Sequence, residues 1–391
     1  MKINVGVLYG GNSTEHEISV ISAVQAMNNM DKEKYNIIPI YLTKDSIMYT
    51  ADNFLDMKTY KNINLLKKNS KEVILTRKGS DVVLLKLGFP NKVVSKIDIV
   101  FPIMHGYNTE DGCIAGFLEV LGVPYCECDI YGAVIGQDKI FQKMVLRAND
   151  INVVDYFYTY DTDYEENPKK VFSDAEKLGY PLIVKPSRQG SSVGITIAHD
   201  KKELEKAIEE AIEYDDKILI EKVVENMKEL NCSVIADEKG YEASPIEEVY
   251  GKDEILSYKD KYLSGGKSSK TSGSKGMASA GRKIPADIKE DLIKTIEDMS
   301  IRACKALKTN GVVRIDYLMD QKSGKVYLNE MNITPGSLSF YLWDAKGLKY
   351  KDLLDRIINA GIKRYQEKSK KLSSFDTNIL ETFNGAKGVK K

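Results

Sequence analysis

The sequence predicts an α/β chain (α+β overall), with an open parallel α/β unit at the N-terminus and two further sheet-bearing units after it. Three observations predict this. The first third alternates strand and helix patterns: VGVLYGG, a helix over about residues 17–29, NIIPIYLTK, and the apolar run IDIVFPIM. The strand LIVKPS ends in a lysine and runs into the small-residue loop RQGSSVG. Far downstream, RIDYLMDQKSGKVYLNEMN alternates, turns at QKSG and alternates again, which is a β-hairpin.

The elements follow in order. Gly10-Gly11 closes the first strand at the carboxyl edge, where open sheets bind ligands. Residues 51–91 are lysine-rich and weakly patterned, and read as a peripheral insertion. After His105, a helix is expected to pack a face of Ile114, Phe117, Leu118 and Leu121. Alternation in VPYCECDI makes Cys126 and Cys128 same-face strand residues with the wrong spacing for a zinc knuckle. A second unit begins near Gln137 with a helical pattern through FQKMVLRAND. Its later helix is capped by Asp200 with Glu203 three residues on, and buries Leu204, Ala207, Ile208, Ala211 and Ile212 before the strand KILIEKVV. The third unit holds a long helix starting at Pro285, with Leu292, Ile296, Met299 and Ala303 on one face, and then the hairpin. The tract LSGGKSSKTSGSKG, with Lys267, Lys270 and Lys275, is either a linker or a lid over phosphates. The expected domains are 1–136, 137–236 and 237–371, with a lid at 257–280 and a C-terminal extension at 372–391.

Composition narrows the function. The chain has 391 residues, enough for two or three domains, and its 57 basic residues balance 57 acidic ones, so nothing favours nucleic acid as a partner. No apolar run approaches the ~20 residues of a membrane span, and MKINVGVLYGG starts with a strand where a secretory signal would have a charged region. A cytoplasmic protein is expected. Five scattered cysteines fit reduced thiols. With only three histidines, chemistry must lean on carboxylates, lysines, arginine and backbone amides.

The hairpin carries the sharpest chemistry. Period-two alternation puts Arg314 and Asp316 on one face of their strand, and Glu330 and Asn332 on one face of theirs. Three hard oxygen ligands suit Mg²⁺, which fills its remaining positions with water and phosphates. A hairpin alone could equally be a solvated acidic edge. Lys185 before a flexible loop, whose amides and Ser191 and Ser192 hydroxyls can fold over phosphates, argues for a nucleotide site.

As a set, these motifs resemble the ATP-grasp superfamily and, within it, the D-alanine-D-alanine ligase family, over roughly residues 2–368. GGNSTEHEIS, HGYNTEDG, QDK, VKPSRQGSSVG, SYKDKYLS, RID and NEMNITPG each match a family motif. The resemblance implies an N-terminal pre-ATP-grasp α/β domain followed by a two-lobed ATP-grasp fold. It implies an ADP-forming ligase that joins two D-amino acids through an acyl phosphate for peptidoglycan precursors. ATP and two Mg²⁺ ions, or Mn²⁺, are the implied cofactors, amino acids the partners, and a homodimer the assembly. Carried over, Lys139 and Lys185 hold phosphates, with Ser192 in the phosphate loop. Glu221 serves the adenine side and Glu229 the ribose. Asp316, Glu330 and Asn332 bind metal, with Glu330 bridging. Glu15 takes the first ammonium, although it could also cap the first helix. Ser191 and Tyr262 join that pocket to the lid, and Lys261 reaches the transferred phosphoryl group. Arg314 and the Gly336 N–H stabilise the oxyanion. His105 is either a turn residue orienting Glu110 or a substrate contact, and Tyr258 belongs to the lid or to packing.

The departures from the pattern cluster away from ATP. Thr109 stands where the family has Gly, Ala115 where it has Gln, and QDK where it has Met-Asp-Lys. NITPGSLSFYLWD places Tyr341 at the serine that holds the second substrate's carboxylate. An aromatic ring there changes volume and hydrogen bonding. D-alanine at both sites is the leading expectation, with D-serine or another acceptor as the alternative, and a non-catalytic nucleotide-binding protein behind both.

Overall fold

A computed structural model of the chain describes residues 2–250 and 281–373. The expected lid, with Lys261, Tyr262, Tyr258 and the tract's lysines, lies outside the described residues, as does most of the expected C-terminal extension.

The N-terminal sheet has seven strands. Ile3–Gly10 is flanked in parallel by Tyr35–Leu42 and Ile99–Ile103, as the alternation predicted. Helix His16–Asn29 packs on it through Val20, Ala23, Val24 and Met27. Residues 51–91 are more regular than expected. They supply Lys71–Lys78 and Asp81–Lys86, which with Met48–Thr50 and Lys92–Lys96 continue the sheet in antiparallel sense. Val73 and Leu75 are buried between more exposed neighbours, while Val82, Val83 and Leu84 are buried in a row, so only the first of these two strands keeps a period of two.

Three local expectations are corrected. VPYCECDI is no strand: Glu127 takes φ 66°, which breaks the alternation, although Cys126 and Cys128 are both buried. In helix Cys113–Leu121, Ile114, Leu118 and Leu121 pack as expected, joined by Ala115, while Phe117 is exposed. The long helix begins at Glu290, because the Ala286 N–H donates to the Ile246 carbonyl and the Asp287 N–H to the Glu248 carboxylate, which holds residues 285–289 against the neighbouring strand.

The middle unit is a four-stranded sheet in which Leu182–Pro186 pairs antiparallel with both Thr196–Ala198 and Lys217–Lys222. Helix Lys201–Ile212 starts as expected, with the Asp200 carboxylate accepting the Glu203 N–H. It buries Leu204, Ala207, Ile208 and Ala211, and Ile212 packs at the edge. The third sheet has six strands. Gly281–Lys283, Glu247–Tyr250, Met227–Asp237, Gly311–Asp320 and Val326–Asn332 run antiparallel side by side. Helix Glu290–Leu307 covers one face of it. Helix Tyr350–Ser369 joins the N-terminal core through Leu353, Leu354, Ile357 and Ile358, which ties the first and last units together.

Candidate active site

The open face of the third sheet is the floor of the site. Register places Glu247 opposite Asn231, Asn231 opposite Asp316, and Asp316 opposite Glu330, one polar row across four strands. Arg314 pairs with Asn332 one step along, and a bulge after Asp316 ends the regular ladder. The expected hairpin is therefore present, and its register sets both pairs side by side.

Charge is neutralised locally. Arg314 forks onto Asp316, with Nε donating to Oδ1 at 2.7 Å and Nη2 to Oδ2 at 2.8 Å, and the Asn332 amide donates to Oδ2 at 3.1 Å. Burial works against the Arg314 charge, but Asp316 beside it holds its pKa well above the ordinary arginine value. Two carboxylates and an amide oxygen on adjacent strands fit Mg²⁺, and Asn332 must turn its amide to present Oδ1 to a cation. Among the described residues no group of three His, Cys, Asp or Glu side chains forms a metal site, so a cation here completes its shell from phosphates and water.

The motif QDK has a local explanation. The Asp138 carboxylate caps helix Lys139–Ala148 by accepting the Ile140 and Phe141 N–H groups, and also takes Lys217 at 2.8 Å. Lys139 thus starts the helix aimed at the cleft, where its Nζ donates to the Gln189 carbonyl at 2.7 Å and lies 3.3 Å from Glu330. One turn on, Lys143 meets Glu221 at 2.7 Å, and Lys185 meets the other Glu221 oxygen at 2.7 Å. All three are buried. Burial pushes the Lys143 pKa down, while on Glu221 the two lysines overrule burial and hold the carboxylate below its usual range. Lys185 also donates to the Asn329 side chain at 3.1 Å, beside Glu330.

The roof comes from the N-terminal unit. Gly10 has φ 94°, and a Cβ there would lie 2.2 Å from the Leu42 carbonyl, so the turn after the first strand requires glycine. Glu15 precedes helix His16–Asn29 but makes no side-chain cap; its Oε1 accepts the Ser191 hydroxyl. Glu15 thus lines the cleft without capping the helix through its side chain. His105 is neutral, its pKa pushed down to about 4 by burial. It bonds the Thr334 carbonyl at 2.8 Å through Nδ1 and the Ser22 hydroxyl at 3.0 Å through Nε2, and does not orient Glu110. The Ser337 N–H donates to the same Ser22 oxygen at 2.9 Å. His105 and Ser22 therefore fix the loop that carries Gly336. In that loop Ser337, Leu338 and Ser339 all have φ near 50°, a strained run held by its neighbours.

A cleft open to solvent lies between floor and roof. Glu15, Ser191, Lys139 and Glu229 all line it. Arg314, Asp316, Glu330, Asn332 and Gly336 line the middle. Lys185 and Glu221 sit behind the Lys139 helix in the buried triad, and Ser192 lies on the loop with φ 60°. Sequence reasoning missed Lys143, whose i+4 spacing from Lys139 was a usable signal. It also missed Ser22, Asn231, Glu247 and Arg282, for which only the fold supplies the neighbourhood.

Lysines, hard oxygen ligands and a forked arginine around one cleft, on these sheets, define an ATP-dependent ligase of the ATP-grasp fold. The D-ala D-ala ligase N-terminus model matches residues 4–128, and the D-ala D-ala ligase C-terminus model matches residues 145–359. A protein of Thermosipho melanesiensis named D-alanine–D-alanine ligase is 37% identical over 380 residues, 97% of this chain and 98% of that protein. The D-alanine-D-alanine ligase from Coxiella burnetii has a similar structure, with a TM-score of 0.77 at 28% identity over 94% of this chain and 96% of that one. The VanG D-Ala:D-Ser ligase from Enterococcus faecalis superposes with a TM-score of 0.76 at 28% identity over 92% of this chain and 100% of that one. The chain belongs to the D-alanine–D-alanine ligase family.

Proposed function

We infer that the chain joins two molecules of D-alanine at the expense of ATP, making the dipeptide used in peptidoglycan precursors. The observation that carries this is one cleft that brings together Lys139, 3.3 Å from Glu330, the Arg314–Asp316 fork, and Glu15 bonded to Ser191. Glu15 takes the ammonium of the first D-alanine, with Ser191 orienting it. Its carboxylate attacks the γ-phosphorus, giving an acyl phosphate and ADP. Lys139 and Lys185 hold phosphate oxygens, the Ser192 loop covers them, Glu221 faces the adenine side and Glu229 the ribose.

Mg²⁺, when bound by Asp316, Glu330 and Asn332, neutralises the phosphates and the charge developing on them. Two ions with Glu330 between them, and Mn²⁺ as a substitute, complete the proposal. The second amine then attacks the acyl carbon, Arg314 and the Gly336 N–H steady the oxyanion, and phosphate departs as the amine loses its proton. Lys261 and Tyr262 take their roles from the family pattern alone. A cytoplasmic homodimer joined through the N-terminal unit is part of this proposal.

The test is purified protein with ATP, Mg²⁺ and a panel of D- and L-amino acids, following phosphate release and identifying products by mass. D-alanyl-D-alanine is expected. No phosphate with any pair would sink the ligase reading, and a mixed product such as D-alanyl-D-serine would sink only the acceptor.

A further inference from the structure

The acceptor must be held by its carboxylate while its amine attacks, and the family's serine for that task is replaced here by Tyr341. The Tyr341 hydroxyl does not take over the task, because it donates to Glu247 Oε2 at 2.8 Å. Arg314 forks onto Asp316 and is assigned above to the oxyanion. Among the described residues, Arg282 is a further cation that lines the cleft. Arg282 pairs with Val249 in the sheet, so it shares a face with Glu247 two residues away. Its guanidinium lies 4.7 Å over the Tyr341 ring, and Nη1 is 3.4 Å from Glu247 Oε1. Glu247 is in turn held by the Asn231 amide at 3.1 Å.

We propose that Arg282 anchors the carboxylate of the acceptor amino acid, with Tyr341 and Glu247 as positioning residues that hold the guanidinium in place. The inference rests on the ligase reading above. A guanidinium carries five N–H donors, so it can serve Glu247 and a ligand carboxylate together. Glu247 stands two strands from Asp316, roughly 10 Å at the usual strand spacing. That leaves room for an amino acid between the reacting carbonyl at Arg314 and an anchor at Arg282. The tyrosine thus does indirectly what the serine does by contact: its ring is the platform, and its hydroxyl fixes the glutamate that steers the arginine.

The experiment compares two outlets for the acyl phosphate in the intact enzyme with ATP and Mg²⁺: D-alanine, which has a carboxylate, and hydroxylamine, which has none. Arg282→Met is expected to raise the KM for the second D-alanine about thirtyfold or more, the scale of a lost charge-assisted pair. Hydroxamate formation and the KM for ATP should change far less. Arg282→Lys should recover part of the loss, and Tyr341→Phe should raise the same KM about fivefold with kcat retained, the scale of one neutral hydrogen bond. Wild-type enzyme should prefer D-alanine to D-alaninamide, and Arg282→Met should erase that preference. Equal losses with both outlets, a raised KM for ATP alone, or a preserved preference for D-alanine over its amide would each overturn the assignment. Wild-type protein that forms neither product would instead overturn the ligase reading.

Discussion

Two walls of the molecule bury glutamates in opposite ways. Behind the nucleotide end, Glu221 is 1% exposed and touches two lysines, which keep it ionised below its usual range. Behind the N-terminal roof, Glu110 and Glu127 are pushed up by burial, Glu127 to about 8. Among the described residues Glu110 accepts the Gly106 N–H at 2.7 Å, and Glu127 the Val312 N–H at 3.2 Å. The difference follows from the partners each wall provides. Two lysines meet one glutamate in the first, and backbone N–H groups meet the glutamates of the second.

The largest effect expected on the charged side is at the metal row. Glu330→Gln keeps the shape and removes a charge that the proposed Mg²⁺ needs, so turnover should fall by about 10²–10³-fold or more. Circular dichroism and melting should be unchanged, and an active variant would mean that the cation sits elsewhere. Next comes Glu221→Gln, which leaves Lys143 and Lys185 buried side by side. Breaking such a cluster costs roughly 3–5 kcal/mol, measurable by urea unfolding, and ATP should restore part of it by binding the folded state. A loss below about 1 kcal/mol would show that the lysines find another partner, and the contrast between the walls would lose its basis.

The charged wall was also the more legible one. Lys139, Lys185, Asp316, Glu330 and Asn332 lie in short motifs whose spacing is set by a helix cap, a strand end and a hairpin, all local devices. The hairpin and its faces were readable because period-two alternation fixes faces and QKSG marks the turn, whereas the register with its bulge after Asp316 came from the fold. The neutral wall and the acceptor end are assembled from residues distant in the chain. Ser22 meets Ser337, Tyr341 meets Glu247, and Glu127 meets Val312, and no spacing rule links such pairs. The regular strands in residues 71–86 were missed for another reason: Ile74, Val83 and Leu85 share the face opposite Val73, Leu75, Val82 and Leu84, so apolar residues fall on both faces and the alternation is blurred.

A third prediction uses pH to set the walls against each other. Glu127 in the folded chain titrates near 8, against about 4.5 for an ordinary glutamate. Between those values the folded state keeps a proton that the unfolded chain has lost, so its contribution is full below about 4.5 and falls away as pH rises to about 8. The slope is about 1.4 kcal/mol per pH unit. Glu221 has the opposite sign, because its stabilisation is present above the usual carboxylate range and is lost on acidification. Glu127→Gln mimics the protonated form, so it should gain stability over wild type as pH is raised from 5 to 8. A constant difference across that range would mean that Glu127 is ionised in the fold.

The smallest expected effect tests whether the neutral wall is a set of isolated groups or a network. Tyr350 stacks on Phe340 with ring centroids 4.6 Å apart, and its buried hydroxyl has no hydrogen-bond partner among the described residues. Burial and the nearby Glu127 both push its pKa up. If the hydroxyl is an unmatched polar group, Tyr350→Phe removes a desolvation cost and keeps the stack, raising stability by about 1 kcal/mol. A loss of about 1 kcal/mol instead would mean that the hydroxyl is hydrogen-bonded to the Glu127 carboxyl. In that case the gain from Glu127→Gln at pH 8 should shrink in the Tyr350→Phe background, since contacting residues do not add independently. The double-mutant cycle at pH 5 and pH 8 therefore decides whether the proton on Glu127 is kept by burial alone or by burial together with a partner.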